Sequence, residues 1–233
     1  MLLTSSLIRD GFATAVVFAA SNALLLLVSA LRARHHHHPE TSRKLLHLGL
    51  GTIALTYPFL FKSAWPVLVI NFGFLCLLLG ALVHEPLQYR WRDVVSRVER
   101  KTVGEFYFPI SVALLFLLTR GDPLLFCIPV LILTIADAAA ALVGCHYGLH
   151  PYHTAAGRKS LEGSAAFFLS TFLLTQLPLL LFTPLSPAAA IAIAATLALT
   201  MTIVEALSWR GLDNLLLPLT SFALLNLLLR AAV

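Results

Sequence analysis

One aspartate within a long apolar segment is the strongest candidate for chemistry in this sequence. Asp137 lies in residues 133–141, which read LTIADAAAA. A carboxylate at the centre of a transmembrane helix costs about 2.5–3.5 kcal/mol on insertion scales, so it normally faces the bundle interior and serves a function. Ala141, Gly144 and Gly148 follow on the same helix face, where small side chains permit close packing or leave room for a ligand. The alternative is a structural aspartate paired with a buried base.

Basic residues and glycines come together just before the sixth apolar segment. Residues 157–164 read GRKSLEGS, which places Arg158 and Lys159 at the start of a predicted helix. Cations beside a helix N-terminus can bind phosphate groups. The run agrees only loosely with a Walker loop, because we expect no strand before it and the first glycine is misplaced. A pair of basic residues beside a membrane segment is otherwise a topology signal.

A third group of polar residues opens the second apolar segment. Arg43 and His47 are four residues apart, so they share one face of a predicted helix, and Lys44 lies next to them. Such a group could bind an anionic substrate. The alternative is a base that extends to the membrane surface and a histidine that packs in the core.

Carboxylates also lie at the same ends of other apolar segments. Glu105 falls in the first turn of the fourth predicted helix, Glu205 lies near the end of the seventh, and Asp213 precedes the eighth. Asp213 could simply cap a helix. Together with Asp137, such carboxylates and the nearby bases could meet at one face, where carboxylates and substrate phosphates commonly bind Mg²⁺ for nucleotide chemistry.

The elements that must position these residues are transmembrane helices. Of the 233 residues, 59% are hydrophobic and 12% are charged, whereas roughly a quarter are charged in a soluble domain. We predict an all-α, polytopic helix bundle of about eight spans that forms a single integral membrane domain, residues 1–233. The helices are predicted at residues 11–31, 45–61, 64–83, 102–119, 123–145, 163–182, 188–208 and 214–232.

The basic residues predict the orientation of this bundle. Most of the 16 lysines and arginines lie in the loops after helices one, three, five and seven. The positive-inside rule therefore places these loops, and with them the candidate site, at the cytoplasmic face and both termini outside. The net charge of +5 has this origin, so we expect no nucleic-acid partner. The sequence indicates no particular oligomeric state.

Five motifs follow one another along residues 43–220. They are Arg43-Lys44 with His47 and Gly51, Gly104-Glu105 with Tyr107 and Pro109, Ala136-Asp137 with Gly144 and Tyr147-Gly148, the KSLEGS run of residues 159–164, and Asp213-Asn214 with Pro218. In type and order they resemble the phytol kinase and dolichol kinase family of CTP-dependent lipid-alcohol kinases. Members of that family often carry glycine where Ala136 stands, and the alanine adds a methyl group where a ligand could approach.

The resemblance implies an enzyme that transfers the γ-phosphoryl group of a nucleotide triphosphate, typically CTP, to a prenol-type lipid alcohol such as phytol or geranylgeraniol, with Mg²⁺ as cofactor. It implies Asp137 as the leading metal-binding or catalytic carboxylate, with Lys159 and Glu162 at the nucleotide. The full prediction has three sets: catalytic Asp137, Glu105 and His47; nucleotide-binding Arg43, Lys44, Gly144, Arg158, Lys159, Ser160, Glu162 and Gly163; and metal-binding Asp137, Glu162 and Asp213.

Two other functions are compatible with the same residues. A CTP-dependent cytidylyltransferase acting on a lipid phosphate has a similar aspartate and Lys-x-x-Glu-Gly layout. An ion-coupled transporter could use Asp137 as its coupling residue, but transporters typically show internal repeats and interrupted helices. The sequence has no clear repeat.

Overall fold

The computed structural model describes residues 2–35, 39–83, 104–154, 157–209 and 211–232. The chain is predominantly helical, and its helices form two compact units, Met1–Gly121 and Asp122–Val233. The helical class predicted from composition is therefore confirmed. That the two units belong to one integral membrane domain stays a prediction.

The described residues of the first unit include five helices. They are α1 (Leu2–His35), α2 (Pro39–Ala54), α3 (Tyr57–Leu60), α4 (Trp65–Val83) and α5 (Gly104–Thr119). Helix α1 packs against α2 and α4, and α4 packs against α5. Leu25 and Val28 of α1 contact Leu46 of α2 in the core. At the opposite end of α1, the hydroxyl of Ser63 donates to the buried carboxylate of Asp10 at 3.1 Å.

The second unit contains most of the long apolar helices that the structure describes. They are α6 (Pro123–Leu131), a π-helical segment (Ile132–Ala136), α7 (Asp137–Tyr147), α8 (Leu161–Phe182), α9 (Pro187–Leu207) and α10 (Asp213–Ala232). Helix α8 packs against α7 and α9, and α10 packs against α9 and α6. Ser186 caps α9 by accepting from the Ala189 amide at 3.2 Å, which confirms the turn predicted between α8 and α9.

Among the described residues, five helices are long and apolar enough to cross a membrane: Leu7–Leu31, Pro123–Tyr147, Leu161–Phe182, Pro187–Leu207 and Asp213–Ala232. Trp65–Gly80 and Gly104–Thr119 are shorter apolar helices. The 16 residues of α5 extend about 24 Å, against about 30 Å of hydrocarbon. These helices fit an integral membrane protein, and the count of eight spans stays a prediction.

Helix α2 ends earlier than predicted. One helix was expected over residues 45–61, but a turn at Leu55 and Thr56 separates α2 from the single turn of α3. Pro58 lies in the first turn of α3, where its missing amide donor costs least. The predicted start of the fourth helix near Thr102 lies outside the described residues, and α5 is described from Gly104.

The second unit contains a β-hairpin that was not predicted. Strand β1 (Pro151–Thr154) pairs antiparallel with β2 (Gly157–Ser160), and Tyr152 lies opposite Lys159. The expectation that no strand lies next to residue 157 was therefore wrong. Strands of four residues are too short to show a clear alternating pattern, and Gly157 has a φ of 116°, a conformation that suits glycine.

Candidate active site

The π-helical segment ends at the aspartate that the sequence singles out. The amide of Asp137 donates to the Ile132 carbonyl, five residues back, as in a π-helix rather than an α-helix. Pro129 lies inside the preceding helix and lacks an amide donor, which loosens the regular hydrogen-bond ladder there. Asp137 itself is only 5% exposed. A buried carboxylate next to a π-helical turn is a frequent arrangement at functional sites.

Hydrogen bonds connect the β-hairpin and its flanking residues to the first turn of α8. Ser160 caps the helix by accepting from the Gly163 amide at 3.1 Å, and the Leu161 amide donates to the His150 carbonyl at 3.0 Å. Two early amides of α8 thus already have partners inside the chain. Phosphate binding at this helix start would therefore depend on side chains, above all on the exposed Arg158 and on Lys159.

Two side-chain contacts complete this attachment. The Tyr152 hydroxyl lies 2.6 Å from the Ser164 hydroxyl, and His150 Nδ1 lies 2.6 Å from Glu162 Oε1. The His150 amide also donates to Glu162, at 3.2 Å. Glu162, predicted to bind nucleotide or metal, is thus engaged in holding the hairpin to the helix.

Lys159 reaches from the hairpin to the end of α9. Its ammonium donates to the backbone carbonyl of Glu205 at 2.5 Å and forms an ion pair with the carboxylate of the same residue. The Glu205 side chain is 11% exposed and that of Lys159 is 22% exposed. A carboxylate that is this poorly solvated can remain charged only if a group of opposite charge lies beside it. Lys159 is that group.

Two other acidic residues of the second unit lie near Glu205. Asp137 and Asp213 both lie close enough to repel its carboxylate. Asp213 is half-buried and opens α10, where its side chain accepts from the Asn214 amide at 3.0 Å. Glu205 was among the carboxylates expected to meet at one face, but it was left out of the predicted catalytic, nucleotide-binding and metal-binding sets. Its position inside an apolar helix was the available signal.

The structure gives the predicted glycines a packing role. A Cβ added to Gly163 would lie 2.9 Å from the Ala140 carbonyl oxygen and 3.3 Å from the Cα of Gly144. A Cβ on Gly148 would lie 2.9 Å from the Cβ of Ser160. The small face that follows Asp137 is therefore used for the close approach of α7, the hairpin and α8. Nucleotide binding by Gly144 and Gly163 stays a prediction.

The remaining predicted residues belong to the first unit. The rings of His47 on α2 and Phe108 on α5 are 4.9 Å apart in an edge-to-face arrangement. Glu105 and Phe108 are three residues apart and therefore lie on one side of α5. On α2, the Lys44 side chain is buried. Arg43, Lys44 and His47 therefore lie on the helix that contacts the Glu105 helix within this unit. Their participation in one site with Asp137 stays a prediction.

Magnesium binding by Asp137, Glu162 and Asp213 stays a prediction. Among the residues the structure describes, no three His, Cys, Asp or Glu side chains converge on a metal position. Mg²⁺ is usually bound by one or two carboxylates together with substrate phosphates and water. Glu162 contacts His150, and Glu205 contacts Lys159.

Comparison with known proteins gives one informative match. No family model matches the sequence, and no solved structure matches it. The chain is 30% identical over 186 residues to a phytol kinase from Synechocystis sp., a match that covers 78% of this chain and 76% of that protein. The match includes most of both sequences. This chain belongs to the phytol kinase family.

Proposed function

We propose that the chain is a membrane-embedded kinase that transfers the γ-phosphoryl group of CTP to the hydroxyl of a prenol-type lipid alcohol, such as phytol or geranylgeraniol. The 30% identity to a phytol kinase over most of the chain carries this proposal. Five long apolar helices and the buried Asp137 support it, because a lipid alcohol must meet the catalytic group at the edge of the bilayer. The further likeness to dolichol kinases rests on the motifs alone.

The reaction needs a proton acceptor and groups that hold the triphosphate. In the proposed mechanism, Lys159 and Arg158 bind phosphate oxygens, and Asp137 accepts the proton of the lipid hydroxyl. The hydroxyl oxygen forms a bond with the γ-phosphorus, and the bond from that phosphorus to the bridging oxygen of CDP breaks. Asp137 and Asp213 are the proposed ligands of Mg²⁺, which would neutralise charge on the phosphates when bound.

Isotope labelling of CTP distinguishes this reaction from that of a cytidylyltransferase. With phytol or geranylgeraniol as acceptor, we expect label in the γ position to enter the lipid and label in the α position to stay in the nucleotide. A cytidylyltransferase requires a lipid phosphate of about −1.5 to −2 charge, as on a phosphorylated side chain, and further cations to hold it. Arg43 and Lys44 could supply them, so the assay includes phytyl phosphate. Transfer of α label to any lipid would refute the kinase assignment.

We also propose that the hairpin lies on the cytoplasmic side, as the distribution of basic residues predicts. Lys62, between α3 and α4, and His153, on the hairpin, are both exposed and are predicted to lie on opposite sides of the membrane. In a chain whose three cysteines are replaced by serine, an impermeant thiol reagent should label Lys62→Cys in intact cells. His153→Cys should react only after permeabilisation. The reverse pattern would contradict the orientation.

A further inference from the structure

Lys159 links the basic hairpin to an acidic helix end. The Lys159 ammonium has three donors, and in the structure it bonds both the carbonyl and the carboxylate of Glu205. These residues are 46 positions apart in the chain, so the contact depends on the packing of α8 against α9. The carbonyl of Glu205 is also near the C-terminal end of α9, where the helix dipole attracts a cation.

The rest of the hairpin holds the lysine backbone in place. Ser160 caps α8 immediately after Lys159, and Tyr152, which is opposite Lys159 in the hairpin, contacts Ser164 of α8. The backbone of the lysine is thus attached to one helix and its side-chain end to another. A lysine side chain normally loses considerable rotamer freedom when it binds a ligand, and here the chain has already restricted it.

From this geometry we infer that Glu205 is a positioning residue for the triphosphate: it uses two donors of the Lys159 ammonium and directs the third towards a nucleotide phosphate. The inference rests on the proposed function, because it assumes that the nucleotide is bound beside Lys159. Glu205 acts through Lys159 and does not itself contact the substrate.

A double-mutant cycle tests this dependence on Lys159. Glu205→Gln keeps the size of the side chain and an oxygen acceptor but removes the charge. We expect it to weaken Mg·CTP binding about tenfold, the effect of weakening one hydrogen bond to a charged group. Lys159→Met should weaken binding more. In the double variant the affinity should equal that of Lys159→Met alone, because Glu205 has no other route to the nucleotide.

The measurement is equilibrium binding of Mg·CTP to the purified full-length protein, followed by steady-state kinetics. Glu205→Gln should raise the KM for CTP and leave the KM for the lipid alcohol unchanged, whereas a general structural defect would alter both. Asp10→Asn removes a buried carboxylate of the first unit and serves as a control that should bind CTP normally. The less conservative Glu205→Ala should resemble Glu205→Gln with a larger loss.

The possible results separate this inference from the proposed function. The positioning role would be overturned if the effects of Glu205→Gln and Lys159→Met multiply in the double variant. It would also be overturned if Glu205→Gln leaves Mg·CTP binding unchanged. A wild-type protein that binds no Mg·CTP would overturn it as well. A wild-type protein that binds Mg·CTP but phosphorylates no alcohol would refute the kinase assignment alone, because the binding cycle would still report whether Glu205 acts through Lys159.

Discussion

Replacement of Asp137 by asparagine is expected to lower phosphoryl transfer on the order of 10²–10⁴-fold, the usual contribution of a positioned general base. The amide has nearly the size of the carboxylate but can neither accept the proton of the lipid hydroxyl nor bind a metal as an anion. Asp137 is buried beside the π-helical segment, so its neutralisation also removes the cost of a charge within an apolar helix. Because the amide also keeps the size of the side chain, the variant should still fold.

Two measurements made together distinguish catalysis from a structural role. Transfer to phytol is measured at saturating CTP, and unfolding is followed by thermal denaturation in detergent. Asp10→Asn is the matched control, because Asp10 is a buried carboxylate that accepts from Ser63 and Arg9 in the first unit; its transfer rate should be near normal. If Asp137→Asn unfolds at lower temperature yet retains its turnover, the carboxylate is structural and pairs with a buried base.

Replacement of Gly163 by alanine is expected to destabilise the second unit by about 1–3 kcal/mol, the usual cost of overpacking a close contact. The new Cβ would lie 2.9 Å from the Ala140 carbonyl oxygen, which is backbone, so α7 and α8 would have to move apart. Gly80→Ala is the matched control, because a Cβ there meets nothing within 4 Å. It should instead raise helix stability by about 0.5–1 kcal/mol.

Unfolding and nucleotide binding together show which role Gly163 has. Both variants are compared by denaturation of the purified protein in mixed micelles and by equilibrium binding of CTP. A loss of stability in Gly163→Ala supports the packing role. Unchanged stability with lost CTP binding would contradict the packing role and support the nucleotide-binding role that the KSLEGS motif predicted.

The helices and the leading aspartate could be predicted because their signals are local. Apolar segments of about 20 residues identify membrane helices by composition alone, and a carboxylate inside such a segment stands out against its neighbours. Six of the eight predicted helices begin and end within a few residues of observed ones or of their described parts. The second observed helix begins six residues and ends seven residues earlier than predicted. The first extends further at both ends, since polar flanking residues permit a helix to continue.

The hairpin was not predicted because its strands are too short to give a recognisable sequence pattern. Four-residue strands show too few alternations to be recognised, and the basic residues of β2 suggested a loop at a helix start. The consequence extends to Glu162, which was predicted to bind nucleotide or metal. Its contact with His150 exists because the hairpin returns the chain to the start of α8.

By itself the sequence determined the helical membrane class and the presence of one carboxylate, Asp137, inside an apolar helix. It also determined the concentration of basic residues at one set of helix ends. Only the tertiary structure decided which charges meet. The partner of Lys159 is Glu205, 46 residues further along, and the partner of Gly163 is the backbone of α7. Composition and periodicity report the preferences of neighbouring residues, whereas these contacts depend on how α7, α8 and α9 pack after each helix has formed.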